Sequence, residues 1–225
     1  MTNQTFRIDI YSDVVCPWCY IGKRRLERAL GQMKGVVQVQ VHWRPFQLNP
    51  TMPTEGIDRT TYLEAKFGGR EAFRQLEEQV LAVGASERIH FAFDKMRRTP
   101  NTFAAHRLIW YAQREQGQGA IVESLFRGYF EEGADIGSLP VLVDLAARSG
   151  LTAEAVERLL RGDEGTEEVK AEEAAGRRLG IRGVPYFVLD ETYGISGAQP
   201  ADTLMSVIET VRSGKAVIAQ ESIRR

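Results

Sequence analysis

The sequence predicts an α/β protein whose two ends build one mixed central sheet flanked by helices, with a large all-α block inserted between them. Three observations carry that expectation. An alternating apolar–polar run, a helix-spaced run and a second alternating run open the chain. A helix, two short strands and a helix close it, and between these ends helical spacing recurs while sustained alternation is scarce. Each outer piece is too small to bury a core alone, so the two are expected to share a sheet. The division expected is residues 1–53 plus 163–225 for the α/β domain and 54–162 for the inserted helical subdomain.

Phe6-Arg7-Ile8-Asp9-Ile10-Tyr11 alternates as a strand does. Leu26, Ala29, Leu30 and Met33 then recur at helical spacing, and Gly35 stands where a helix ends. Val37 to Trp43 alternates again, closed by Pro45 and Pro50, which cannot donate to a sheet ladder. The connection implies parallel strands.

In the middle block, Ala105, Leu108, Ile109 and Ala112 form one helical face, and Leu139, Leu142, Val143 and Ala146 another. Ser138 and Thr152 resemble helix starts, and residues 84–100 read as loop. A helix is expected over about 166–179, its glutamates first and its arginines last, in keeping with the helix dipole. Tyr186–Leu189 and Tyr193–Ser196 read as an antiparallel hairpin. Pro200 opens a closing helix whose apolar face is Leu204, Val207, Ile208 and Val211.

Composition narrows the function. Net charge is −1, with 29 Lys and Arg against 30 Asp and Glu, so no basic excess points to nucleic acid. Lys23, Arg24, Arg25 and Arg28 read as a solvated helix face. No apolar run approaches the ~18 residues of a membrane span. The segment from Met1 to Arg7 lacks the pattern of a secretory signal, so cytoplasmic residence is expected. With two cysteines in that compartment, a disulfide-stapled scaffold is not expected.

The chemistry is carried by Cys16-Pro17-Trp18-Cys19, placed between a strand and the helix after it. A thiolate is the reactive form of cysteine, and unpaired amides at a helix amino terminus stabilise it. The i, i+3 spacing lets both sulfurs meet on one face. Cys16 is expected to be the exposed nucleophile and Cys19 the resolving thiol one turn deeper. Two other readings stay open. The pair is half of a zinc motif, yet no second pair completes it and His42, His90 and His106 lack ligand spacing. It also fits two small buried hydrophobes. No metal is expected.

Ser12-Asp13-Val14-Val15-Cys16-Pro17-Trp18-Cys19 resembles the active-site segment of DsbA-like oxidoreductases, in particular their FrnE-like cytosolic branch. The stretches from Trp43 to Pro50 and from Asn101 to Leu108 are similar to further segments of that branch. Gly180-Ile181-Arg182-Gly183-Val184-Pro185 is similar to the cis-proline loop of thioredoxin-fold proteins. The resemblance implies a thioredoxin fold with a helical insertion, and a cis Val184–Pro185 bond beside the sulfurs that presents Val184 to bound polypeptide. Unlike the strongly oxidising periplasmic members, the dipeptide here is Pro17-Trp18, with no histidine before the resolving cysteine.

The function expected is thiol–disulfide exchange on polypeptide substrates, with no bound cofactor beyond the redox-active cysteine pair and with glutathione as an electron donor. Asp13 (a proton relay), Phe46 (a groove wall with Trp18) and His106 are accessory candidates. Exposed apolar surface around Trp18 would suit a homodimer. The same fold also hosts glutathione-dependent 2-hydroxychromene-2-carboxylate isomerases and kappa-class glutathione transferases. These usually have serine where Cys16 stands and lack the second thiol. A binding module without redox turnover is a third reading.

Overall fold

The computed structural model describes residues 5–35 and 38–214. Met1–Gln4 and Val37, where the second strand was expected to begin, lie outside the described residues. In chain order the elements are β1 (Phe6–Ser12), α1 (Pro17–Gln32), β2 (Val39–Pro45), β3 (Ile57–Asp58), α2 (Arg59–Phe67) and α3 (Arg70–Ser86). A 3-10 turn (Phe93–Lys95), β4 (Arg98–Thr99), α4 (Phe103–Arg114), α5 (Gln118–Phe130), α6 (Leu139–Arg148) and α7 (Ala153–Arg161) follow. The chain then forms α8 (Thr166–Arg178), β5 (Tyr186–Leu189), β6 (Tyr193–Ser196) and α9 (Ala201–Arg212). Two compact units result, Met1–Phe46 with Glu172–Arg225, and Gln47–Ala171. The boundaries are offset from those read in the sequence, and α8 runs across the second of them.

In the first unit the sheet order is β2-β1-β5-β6, so both ends of the chain share one sheet. β1 and β2 run parallel, Phe6 opposite Val39 through Ser12 opposite Pro45. β5 is antiparallel to β1 and to β6, which makes the sheet mixed. Side chains alternate across the pleat. Ile8 and Ile10 on β1 therefore share a face with their partners Leu189 and Phe187. That face meets α1: a Cβ added at Gly22 would stand 3.3 Å from the Phe187 ring. Each of these apolar side chains is almost fully buried, a gain of about 1.5–3 kcal/mol apiece.

The opposite face carries Tyr11, which packs with Phe46, Ile181, Tyr186 and Val188. Its ring presses on α8 so closely that a Cβ at Gly176 would lie 2.5 Å from it. Beside Tyr11 the face is charged. Asp9, buried on the central strand, accepts hydrogen bonds from Arg7 Nε at 2.6 Å and Arg44 Nε at 2.7 Å. Burying a carboxylate is tolerable when it is paired and multiply hydrogen-bonded, as here.

The basic cluster of α1 is a solvated face only in part: Arg28 is exposed, while Lys23, Arg24 and Arg25 are drawn in. Lys23 is only 5 % exposed and pairs with Glu27 at 2.5 Å. Arg24 lies over the Tyr20 ring and Arg25 donates to the Ala198 carbonyl at 2.5 Å. Long basic side chains can lay their apolar stems along the protein while their charged heads find partners.

In the second unit the predicted α4 face is buried as read, at Ala105, Leu108, Ile109 and Ala112. On α6 the buried set is Leu142, Leu145 and Ala146, so Leu145 takes the place expected for Val143. Ser138 and Thr152 do stand at helix N-caps, though neither side chain makes a capping bond. Residues 84–100 are more ordered than a loop. α3 continues to Ser86, Phe91 and Phe93 stack with centroids 5.0 Å apart, and β4 pairs with β3. Strands of two residues leave no alternation to read.

Candidate active site

Cys16 is the N-cap residue of α1, with extended backbone at φ −93° and ψ 113°. Backbone hydrogen bonds on both sides set this position. Its N–H donates to the Asp13 carbonyl at 3.0 Å, and its own carbonyl accepts from Cys19 N–H at 3.0 Å and from Tyr20 N–H at 3.4 Å. Pro17 begins the helix, where a missing N–H costs nothing and its fixed φ suits the first turn. The free amides of that turn therefore start at Trp18. Both cysteines are free thiols.

The two thiols are driven in opposite directions. Cys16 is held below the ordinary thiol range, first by a hydrogen bond from the Cys19 thiol, then by the backbone N–H groups of Cys19 and Trp18. Burial and the nearby Asp13 carboxylate oppose this. Cys19 is pushed well above the ordinary range, chiefly by burial and then by the hydrogen bond and charge it shares with Cys16. The helix amino terminus contributes as expected, but the partner thiol ranks ahead of it.

Across from the pair lies the loop into β5. The Val184–Pro185 peptide bond is cis. The Cys16 thiol donates to the Val184 carbonyl at 3.6 Å, a distance suited to sulfur. The loop is fixed by Gly197 N–H donating to the Pro185 carbonyl at 2.8 Å, and Pro185 packs on α1 at Gly22.

Pro17 and Trp18 are partly exposed and Val184 is half-buried, so this dipeptide and this loop frame Cys16. The expectation of an open nucleophile needs correction: Cys16 is 5 % exposed and Cys19 fully buried. Cys16 sits in a cap position covered by the Val184 carbonyl instead of standing out on the surface. Phe46 also departs from its expected place. It is 2 % exposed, in the core beside Tyr11 with Arg177 over its ring, so it does not wall a surface groove.

Asp13 is buried one turn before Cys16, where its charge works against ionisation of Cys16. His106 is buried on α4, in the Gln47–Ala171 unit. Among the described residues no group of three or more His, Cys, Asp or Glu is placed to hold a metal, and no helix is long and apolar enough to cross a membrane. Sequence reasoning missed Ser12, whose hydroxyl acts on Cys19, and the Asp9–Arg44–Glu172 cluster. Adjacency to the cysteine motif was the only signal for Ser12; the cluster had none.

The model of the DSBA-like thioredoxin domain matches residues 7–209. The chain belongs to that family. A probable DsbA oxidoreductase from Streptomyces coelicolor is 34% identical, with TM-score 0.85 over 96% of this chain and 93% of its own. A 2-hydroxychromene-2-carboxylate isomerase shares the fold at 17% identity and TM-score 0.71, covering 92% of this chain and 97% of its own. The cytosolic disulfide reductase DsbM from Pseudomonas aeruginosa, in a structure with GSH, does so at 19% identity and TM-score 0.63, covering 92% and 99%. Membership makes this a DsbA-like thioredoxin fold and, at that coarse level, a redox enzyme.

Proposed function

We propose that the chain performs thiol–disulfide exchange on polypeptide substrates through Cys16 and Cys19, as a reductase or isomerase. The carrying observation is the opposed pull on the two thiols: Cys16 is eased toward thiolate at a helix N-cap while Cys19 holds its proton. A nucleophile and a reserve thiol are thereby distinguished before any substrate arrives.

Ionised Cys16 attacks one sulfur of a substrate disulfide. The Cys16–substrate bond forms, the substrate S–S bond breaks, and the departing thiolate takes the electron pair and a proton from solvent. Cys19 then loses its proton to solvent and attacks Cys16. The substrate's second thiolate leaves, and two electrons have passed to the substrate. Two molecules of a thiol such as glutathione would return the pair to the dithiol, leaving as one oxidised disulfide. The DsbM structure with GSH supports that choice of reductant, and its cytosolic designation supports a cytoplasmic setting. In this reading Val184 and Pro185 face the substrate opposite the pair, and Pro17 and Trp18 border its approach.

The test is reduction of insulin disulfides. Cys16→Ser should abolish it, and Cys19→Ser should accumulate mixed disulfides through Cys16. Equal turnover by wild type and Cys16→Ser would refute the reading.

A further inference from the structure

We infer that Ser12 is a positioning residue for the resolving thiol, its hydroxyl donating to the Cys19 sulfur as that sulfur ionises to close the disulfide. This rests on the exchange reading above. Ser12 is the last residue of β1 and its carbonyl accepts from Phe46 N–H at 3.1 Å, so its backbone is locked. The residue is 5 % exposed, and its Oγ makes no hydrogen bond of ordinary geometry in the dithiol, although it lies close enough to act on the Cys19 thiol. A buried hydroxyl left without a partner is costly and calls for an explanation.

The state of the pair supplies one. In the dithiol, the Cys19 proton is directed to Cys16, and a neutral thiol sulfur is a weak acceptor. Once Cys19 is ionised its sulfur becomes a strong acceptor, and a charge-assisted bond from Ser12 is far stronger than a neutral one. The groups acting on the Cys19 thiol besides burial are the Cys16 sulfur, which opposes ionisation, and the Ser12 hydroxyl and Asp13 backbone N–H, which favour it. When Cys16 is already joined to a substrate its negative charge is gone. The Ser12 hydroxyl and the Asp13 amide then act unopposed by that charge.

With 5,5′-dithiobis(2-nitrobenzoate) as the disulfide, Cys16 releases one coloured thiolate and forms a mixed disulfide. Cys19 gives its proton to solvent, attacks Cys16 and releases the second thiolate. Stopped-flow absorbance separates the two phases. Ser12→Val and Ser12→Thr have the same shape and differ in the hydroxyl, so comparing them cancels packing effects.

The ratio of second- to first-phase rate should be about tenfold lower in Ser12→Val than in Ser12→Thr. The pH midpoint of the second phase should also lie higher in Ser12→Val. Equal ratios and midpoints in the two variants would overturn the role of Ser12. If wild type instead lacks a first phase that Cys16→Ser removes, the exchange reading itself has failed.

Discussion

Arg44 Nη1 lies 2.6 Å from Glu172 Oε1, joining the end of β2 to α8 across 128 residues of sequence. The same guanidinium gives its Nε to Asp9 on β1. One side chain thus ties together the two parallel strands and the helix that returns the chain to the sheet. β1 is also the strand that ends at Ser12, immediately before the turn that delivers Cys16. The clasp fixes the base on which the Cys16 turn is built.

Removing Arg44 should therefore be expensive. Its partner Asp9 has a side chain only 8% exposed and would keep a buried charge with Arg7 alone beside it. Breaking a buried pair from one side costs about 3–5 kcal/mol. Arg44→Ala should lose that much in urea unfolding, whereas Glu172→Ala, at the wetter end of the clasp, should lose about 1 kcal/mol. A loss below about 1 kcal/mol for Arg44→Ala would show that Asp9 does not depend on it.

Glu172 also gives stability a pH dependence of known sign. Burial, partly offset by Arg44, holds its carboxyl above the ordinary range. A carboxyl raised in the folded state binds its proton more tightly there than in the unfolded chain. Its contribution is full below the unfolded value, about 4.3, and is lost as pH rises through the folded one. Relative to Glu172→Gln, wild type should thus lose stability between about pH 4 and neutrality. Urea unfolding of both proteins across that range measures it, and a wild-type stability that rises with pH relative to Glu172→Gln would reverse the assignment.

How far the sequence disclosed this site follows from the range of the forces involved. The Cys16-Pro17-Trp18-Cys19 turn was legible because strand, cap and helix are neighbours in the chain and the chemistry needs that order. The sheet was legible from the alternation of Phe6–Tyr11 and the two runs at Tyr186 and Tyr193. The near-complete burial of Cys16 was not, since a loop 168 residues away supplies the covering carbonyl. Lys23 misled because its charge predicts exposure while its partner Glu27 and its stem allow burial. Asp9, Arg44 and Glu172 each look like ordinary surface charges until folding brings them together.

Gly22 offers a way to disturb the loop opposite the thiols without touching them. A Cβ there would meet Pro185 Cγ at 3.0 Å and Phe187 Cζ at 3.3 Å, so the Val184–Pro185 loop must yield by a few tenths of an ångström. Alanine gains helix propensity of up to about 1 kcal/mol, which offsets the crowding. Gly22→Ala should therefore keep near-wild-type stability while slowing insulin reduction by about threefold or more, since small misplacements of reacting groups are costly. Unchanged turnover would mean that the spacing between Pro185 and the helix is immaterial.

The rank order of influences on Cys16 yields the sharpest discrimination. A helix amino terminus alone would leave its reactivity indifferent to the residue at position 19, provided the backbone is kept. Here the Cys19 thiol is the largest influence lowering Cys16, ahead of the Cys19 and Trp18 amides. Cys19→Ala deletes that donor and keeps the amides; Cys19→Ser keeps an O–H in its place. The pH profile of iodoacetamide alkylation, followed by mass spectrometry, should move upward in Cys19→Ala and less so in Cys19→Ser. At about pH 6 the alanine variant should react roughly tenfold more slowly than the serine variant, the worth of one hydrogen bond to a charged sulfur. Coincident profiles for the two variants would return the credit to the helix amides.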